Sequence, residues 1–416
     1  MKILMIAPQP FFEPRGTPIS VYQRLQALSV LGYPVDLVTY PLGIDVHIPG
    51  VTIYRSLRLP FIKSVKIGPS WTKLLLDIFL FFKAFYLLLI NRYDAIHTHE
   101  EAAFMALSLS KIFRTPHLYD MHSSLPRQLK NYNFLNVFPV IKVFEFLEKQ
   151  VLNSSHVVLT IGEELDTHVK KNNGRINHIR IENRSLYGLF LLDDAEIAQL
   201  RDRLGIENRL PIVYTGSFER YQGLDLLLRS AQKVIDARPE AVFILVGGNN
   251  GQVDRWKGTA RKLGVQDHCM FTGMVTLEES MAFLEVAEIL VSPRTQGLSI
   301  PLKIYSYLAS GKPIVATRIS AHTELLNDDL AVIVESTPDA FAEGVLRLIS
   351  DPELRSRLGH RAQQYAREEF SQDEYLSRLE TAYLSIKHAK PISEIIMHDG
   401  AYIKQFGSHQ ITERKI

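Results

Sequence analysis

Ser292-Pro293-Arg294-Thr295-Gln296-Gly297-Leu298-Ser299-Ile300-Pro301-Leu302-Lys303-Ile304-Tyr305-Ser306-Tyr307-Leu308-Ala309-Ser310-Gly311-Lys312-Pro313 decides how the chain is read. The stretch predicts a strand end, a Gly-containing loop, a helix opening at Pro301 and a turn into a strand at Ile314–Thr317. Proline suits the first helical position, where φ is preset and the missing N–H has no helical partner anyway. Lys303 then falls in the first turn, where the helix dipole disfavours a cation by roughly 0.3–1 kcal/mol. An anion docked on the free N–H groups and on the lysine reverses that cost. A lysine pointing into solvent is the plain alternative. Its place between a strand end and a helix start favours the anion.

The same strand–loop–helix unit repeats on both sides of this stretch. In the second half, strands are expected at Ile212–Gly216, Val242–Gly247, Met270–Gly273, Ile289–Pro293, Ile314–Thr317 and Ala331–Glu335. The first half carries Lys2–Ala7, Val35–Tyr40, Val51–Arg55, Ala95–His99, His117–Met121 and Val157–Ile161, with helical patterns between them. Alternation of this kind is the signature of parallel sheets with crossover helices. The expected fold class is α/β: two doubly wound, Rossmann-like domains with parallel sheets facing across a cleft, ligands collecting at the carboxyl ends of the strands. The domains are placed at 1–190 and 205–370, with Asp193–Arg209 as the linker region. Ser371–His388 reads as a late amphipathic helix, and 389–416 as a tail without usable signal.

The bulk numbers agree. A chain of 416 residues exceeds one ordinary core. It is 46% hydrophobic and 22% charged, as folded proteins are. A net charge of +2 gives no reason to expect nucleic acid. The lone Cys269 excludes an internal disulfide framework and fits a reducing, cytoplasmic setting. Met1–Pro8 reads as a buried strand, its apolar run being too short for a secretory signal. Trp71–Ile90 is strongly apolar but interrupted by Lys73, Asp77 and Lys83, which argues against a spanning helix. Burial in the fold, contact with a membrane surface, or both along its length remain open. Lys63, Lys66 and Trp71 resemble an interfacial flank, so peripheral membrane contact through Lys63–Ile90 is one expectation.

Several loops follow strand ends. Gly16, with Thr17 beside it, would let a ligand approach the backbone ahead of a helix start. His97-Thr98-His99-Glu100-Glu101 invites a metal reading, but the two histidines are expected to face opposite ways along the strand, so no metal is expected. His122, just past a strand end, is placed to hydrogen-bond a sugar or phosphate, with a structural histidine as the competing reading. In the second half Gly216, Ser217, Arg220, Gln222, Gly247 and Gly273 line one sheet edge. Together with Lys303 they describe a nucleotide pocket. No G-x-G-x-x-G occurs, so dinucleotide chemistry loses support.

With these motifs assembled, the chain resembles a family 4 retaining glycosyltransferase of the GT-B fold over roughly Met1–His388. The resemblance is carried in order by Arg15-Gly16-Thr17, "LGYPVDLVTY", "YDAIHTHE", "YDMHSSLP", "YTGSFERYQGLDLLL" and "GLSIPLKIYSYLASGKPIVAT". It implies an acceptor-binding N-terminal domain, a C-terminal domain for the nucleotide-sugar donor, and a last helix returning to brace the first domain. Two departures stand out. Ser217 and Gln222 occupy positions where the family commonly has Arg and Lys, and its Glu-x7-Glu pair falls on Leu298 and Ser306.

The resemblance implies sugar transfer from a UDP- or GDP-sugar to a carbohydrate or lipid-linked acceptor with retention of configuration. Domain closure would exclude water. Lys303, Arg294 and the Gly297, Leu298 and Ser299 backbone would bear on the diphosphate, with Arg220 assisting. Gly16 and Thr17 would close over it, Tyr305 and Ser306 would lie near the ribose, and His122 would touch the donor sugar. No cofactor or metal is implied. The departures keep two rivals in view: an inactive GT-B scaffold partner and a sugar-nucleotide epimerase.

Overall fold

The computed structural model describes residues 1–13, 16–65, 68–131, 138–172, 176–185, 187, 192–297, 300–390, 392 and 395. The chain divides into two compact units, Met1–Glu182 with Gln372–Ile416, and Asn183–Ser371.

The first unit runs β1 (Ile3–Ala7), α1 (Gly16–Val30), β2 (Val35–Thr39), β3 (Val51–Arg55), α2 (Trp71–Ile90), β4 (Ala95–His99), α3 (Ala102–Phe113), β5 (His117–Met121), α4 (Leu125–Asn131), α5 (Phe138–Ser154), β6 (Val157–Thr160), α6 (Glu163–Asn172) and β7 (His178–Arg180). The second runs α7 (Asp194–Arg203), β8 (Leu210–Thr215), α8 (Leu224–Ala237), β9 (Ala241–Val246), α9 (Asn250–Lys262), β10 (Cys269–Gly273), α10 (Leu277–Glu285), β11 (Ile289–Ser292), α11 (Leu302–Ser310), β12 (Ile314–Thr317), α12 (Ser320–Thr323), β13 (Val332–Val334), α13 (Pro338–Ser350) and α14 (Pro352–Glu369). The last helix, α15 (Gln372–His388), belongs to the first unit.

Both sheets are parallel throughout. Strand order is β3-β2-β1-β4-β5-β6-β7 in the first unit and β10-β9-β8-β11-β12-β13 in the second. A strand covered on both faces reads as an unbroken apolar run, and β1 is one: Ile3, Met5 and Ala7 enter one core, Leu4 and Ile6 the other. The order reverses between β1 and β4 and between β8 and β11. Crevices outside the carboxyl ends of the strands open at such switch points.

The linker expected at Asp193–Arg209 holds a helix. Asp193 caps α7 by accepting from the Glu196 N–H at 2.8 Å, while the Glu196 carboxylate accepts from the Asp193 N–H at 2.9 Å. The division between units falls after Glu182 rather than near 190. Of the tail from 389 onward only Ala389, Lys390, Ile392 and Ile395 are among the described residues.

Candidate functional site

In the second unit the switch point gathers the loops after β8 and β11 around the start of α11. Gly223 takes φ 77°, and a Cβ there would stand 1.8 Å from the Pro293 carbonyl oxygen. Only glycine lets the two loops approach this closely. The Thr295 N–H donates to the Tyr221 carbonyl at 3.0 Å and ties them together. Pro301 is the N-cap of α11 rather than its first residue, so Lys303 is the second helical position.

The half-buried Lys303 amine donates to Gln222 Oε1 at 3.3 Å and lies 3.8 Å from the centre of the Tyr214 ring. Gln222 Nε2 lies 3.5 Å from Ser217 Oγ, and the Tyr214 hydroxyl donates to the Ser217 carbonyl at 2.7 Å. Gly216 packs against the amine: a Cβ there would stand 3.1 Å from Nζ. The amine therefore has only neutral partners in its ion-pairing range among the described residues. Burial, and then the charge of Arg294, hold it well below its ordinary 10.5. Two cations near one another favour an incoming anion. Arg294 itself stacks over the Tyr221 ring at 5.2 Å and donates to the Gln296 carbonyl at 2.7 Å.

The Gly247 N–H donates to the Gly273 carbonyl at 3.0 Å, joining the loops after β9 and β10. Arg220 is exposed in a single 3-10 turn, and Gly297 is exposed under the Arg294 guanidinium. Ser306 is buried. Tyr305 is only 1% exposed and packs edge-on against Phe370 at 5.0 Å, which makes its ring part of the core. Leu298 and Ser299 lie outside the described residues.

The first unit has its own cluster at the ends of β1, β4 and β5. Gly16 opens α1, and the Thr17 hydroxyl donates to Glu100 Oε1 at 3.0 Å. Glu100 has left-handed backbone (φ 47°), and burial, then Glu101, raises its carboxyl. Lys73 pairs with Glu101, and the Tyr40 hydroxyl donates to Asp77 at 2.6 Å.

His97 and His99 do not face opposite ways. Their rings stack 4.7 Å apart. Residues two apart on a strand share a face, so the expectation misapplied the period of two. Both point at Asp120, His97 Nε2 at 3.5 Å and His99 Nδ1 at 3.7 Å from Oδ2. These three could approach one cation, but Asp120 Oδ2 already accepts from Arg24 Nε at 2.8 Å. A metal ion would have to share that oxygen with a guanidinium, so the residues do not suit one. Burial opposes the Asp120 charge, yet Arg24 and then His122 hold its carboxyl well below 3.8. Burial leaves His97 and His99 neutral.

His122 Nε2 lies 3.0 Å from His99 Nδ1 and 3.3 Å from Asp120 Oδ1. With a carboxylate beside it, the proton is assigned to His122 Nε2 and the lone pair to His99 Nδ1. The His122 Nδ1 lone pair is then the group left to accept from outside the cluster; His122 keeps 6% exposure where His97 and His99 keep none. Sequence reading missed Arg24 and Asp120. The only hint was a charged residue, Arg24, inside the apolar pattern of α1.

Two family models match the chain: "Glycosyl transferase 4-like domain" over residues 15–182 and "Glycosyl transferases group 1" over 196–365. The chain belongs to the family 4-like glycosyltransferases of GT-B fold. A phosphatidyl-myo-inositol mannosyltransferase of Mycobacterium tuberculosis is 21% identical over 380 residues, 86% of this chain and 90% of that one. The match to YtcC of Bacillus subtilis is 23% identical over 194 residues and spans about half of either protein, 45% and 48%. The crystal structure of Anabaena Alr3699/HepE in complex with UDP superposes with a TM-score of 0.72 at 18% identity, covering 92% of this chain and 100% of that one. Among the described residues no helix is long and apolar enough to cross a membrane.

Proposed function

We propose that this glycosyltransferase moves a sugar from a UDP- or GDP-linked donor to a carbohydrate or lipid-linked acceptor, with retention of configuration and without a metal. The observation that carries the reading is the Lys303 amine, seated in the first turn of α11 against Gly216 and Gln222, with Arg294 as its charged neighbour. Departure of a nucleoside diphosphate builds negative charge, and fixed cations with free helix N–H groups meet it without reorganising. Arg220, at the rim, adds to that field. UDP bound in Alr3699/HepE and a lipid acceptor in the name of the mannosyltransferase support the two substrate classes. His122 offers its Nδ1 lone pair to a hydroxyl of the donor sugar, held in that tautomer by Asp120 and His99.

Ser217, Gln222 and Ser306 favour a second reading, an inactive scaffold. The charge balance speaks for activity. The family's two cations are absent together with its two carboxylates, and Lys303 and Arg294 remain. Incubation with UDP- and GDP-sugars decides, with and without acceptor. Acceptor-dependent nucleotide release supports transfer. Binding without release supports the scaffold, and an altered sugar with donor alone supports an epimerase.

A further inference from the structure

Helix α2 is inside out. Two of its three charged residues, Lys73 and Asp77, turn inward, to Glu101 and to the Tyr40 hydroxyl. Leu76, Leu80, Ala84, Leu87 and Leu88 fill the core beneath. The outward row is apolar from end to end: Trp71, Leu75, Ile78, Phe82, Tyr86 and Leu89, spaced 4, 3, 4, 4 and 3 residues apart and between 37% and 68% exposed. Twenty residues make this row about 30 Å long. Folded proteins rarely leave a continuous apolar strip of this kind to water unless something covers it.

The surrounding charge says what covers it. Residues 46–93 hold seven Lys or Arg and one acid, Asp77; Arg55 and Lys73 are paired with Asp45 and Glu101, and the other five are Arg58, Lys63, Lys66, Lys83 and Arg92. Arg58 and Lys63 are exposed on the segment entering α2, which Ile62 and Val65 anchor in the core under the helix, and Arg92 is exposed just beyond its end. Lys66 lies outside the described residues. Lys83 sits beside the row, 5.6 Å from the Tyr54 ring and 5.8 Å from the Tyr86 ring. Two copies of this face laid together would oppose like charges. Anionic lipid satisfies both halves of the pattern, the apolar row entering the acyl boundary and the cations meeting headgroups.

We infer that the outward face of α2 is a docking surface for anionic lipid bilayers, with the helix lying in the plane of the interface. The inference goes beyond sugar transfer and is tested without it. The full chain, free of nucleotide, is sedimented with phosphatidylcholine vesicles with and without phosphatidylglycerol, and Trp71 fluorescence is followed; the other tryptophan, Trp256, is buried in the second unit. Binding to anionic vesicles, release by salt and a blue shift are expected. Ile78→Ser with Phe82→Ser removes exposed side chains only, so the fold should persist while partitioning falls at least about tenfold. Arg58→Gln with Lys63→Gln should cost about fivefold per charge on anionic vesicles and nothing on neutral ones. A protein that stays in the supernatant at low salt overturns the inference. So does equal pelleting of the Ile78/Phe82 variant, or a self-association that this variant abolishes in a chain that ignores vesicles. Turnover on a soluble acceptor is measured alongside, so loss of docking and loss of transfer are told apart.

Discussion

Replacing Lys303 by methionine separates stability from function at one atom. The amine gives up a charged hydrogen bond to Gln222, about 1.5–3 kcal/mol, and its place over the Tyr214 ring, about 0.5–2 kcal/mol. Against this, a cation that is partly desolvated and crowded by Arg294 is removed, a relief of several kcal/mol. A thioether can also keep about 0.3–1.5 kcal/mol of ring contact. The balance lies within about 2 kcal/mol of zero. Turnover, which would lose a fixed charge facing the leaving diphosphate, should fall about a hundredfold to a thousandfold. Urea unfolding followed through Trp256, a core residue of the same unit, reads the first quantity. UDP and GDP thermal shifts with initial rates read the second. The pH dependence adds a check. The amine titrates lower in the folded chain than the ordinary 10.5, so between those two values the unfolded chain binds more protons and ligand-free stability rises with pH. Methionine should remove that slope. A variant that is as active as the parent, or one destabilised by more than about 3 kcal/mol with donor affinity intact, would refute the reasoning.

Gly216→Ala places a methyl 3.1 Å from Lys303 Nζ at a backbone φ of 136°, so nucleotide affinity should drop with a stability loss of about 1–3 kcal/mol; calorimetric titration of UDP and GDP measures the first. Asp120→Asn leaves the Arg24 guanidinium buried without its counter-charge and should cost about 3–5 kcal/mol in denaturant unfolding, whereas Arg24→Met with Asp120→Leu should recover most of it. Burial, then Glu101, pushes the Asp77 carboxyl up to about 8. The folded chain therefore holds an extra proton between pH 3.8 and 8, and stability falls as pH rises through that window. Asp77→Asn should flatten this limb of the stability–pH curve.

Strands were legible where both faces are buried and the sequence is an apolar run, as in β1, β9 and β11; β4 and β5 are buried on both faces but carry His97, Thr98, His99, His117 and Asp120. Two polar helices, α7 and α14, carry little apolar stripe for sequence reading to find. The α7 capping box, Asp193 and Glu196, was readable three residues apart, but its helix buries only Leu200. The Pro352-led α14 is strongly polar, and β7 has three residues. Around the loops after β8 and β11, Lys303, Gln222, Ser217 and Gly216 converge because glycines let the ends of neighbouring strands approach, a local rule that sequence carries. Arg24 and Asp120 are 96 positions apart, and no local pattern announces such a pair. Tyr305, which the family resemblance put near a ribose, has its ring packed edge-on against Phe370 in the core.

The last helix has a consequence for synthesis on the ribosome. Leu379, Ala382 and Tyr383 belong to the core of the first unit, and the Tyr383 hydroxyl meets His97 at 2.7 Å. The opening 182 residues must therefore wait, one wall missing, while the whole second unit emerges. A nascent chain stalled before Gln372 should remain open to protease in its N-terminal part, and emergence of α15 should close it.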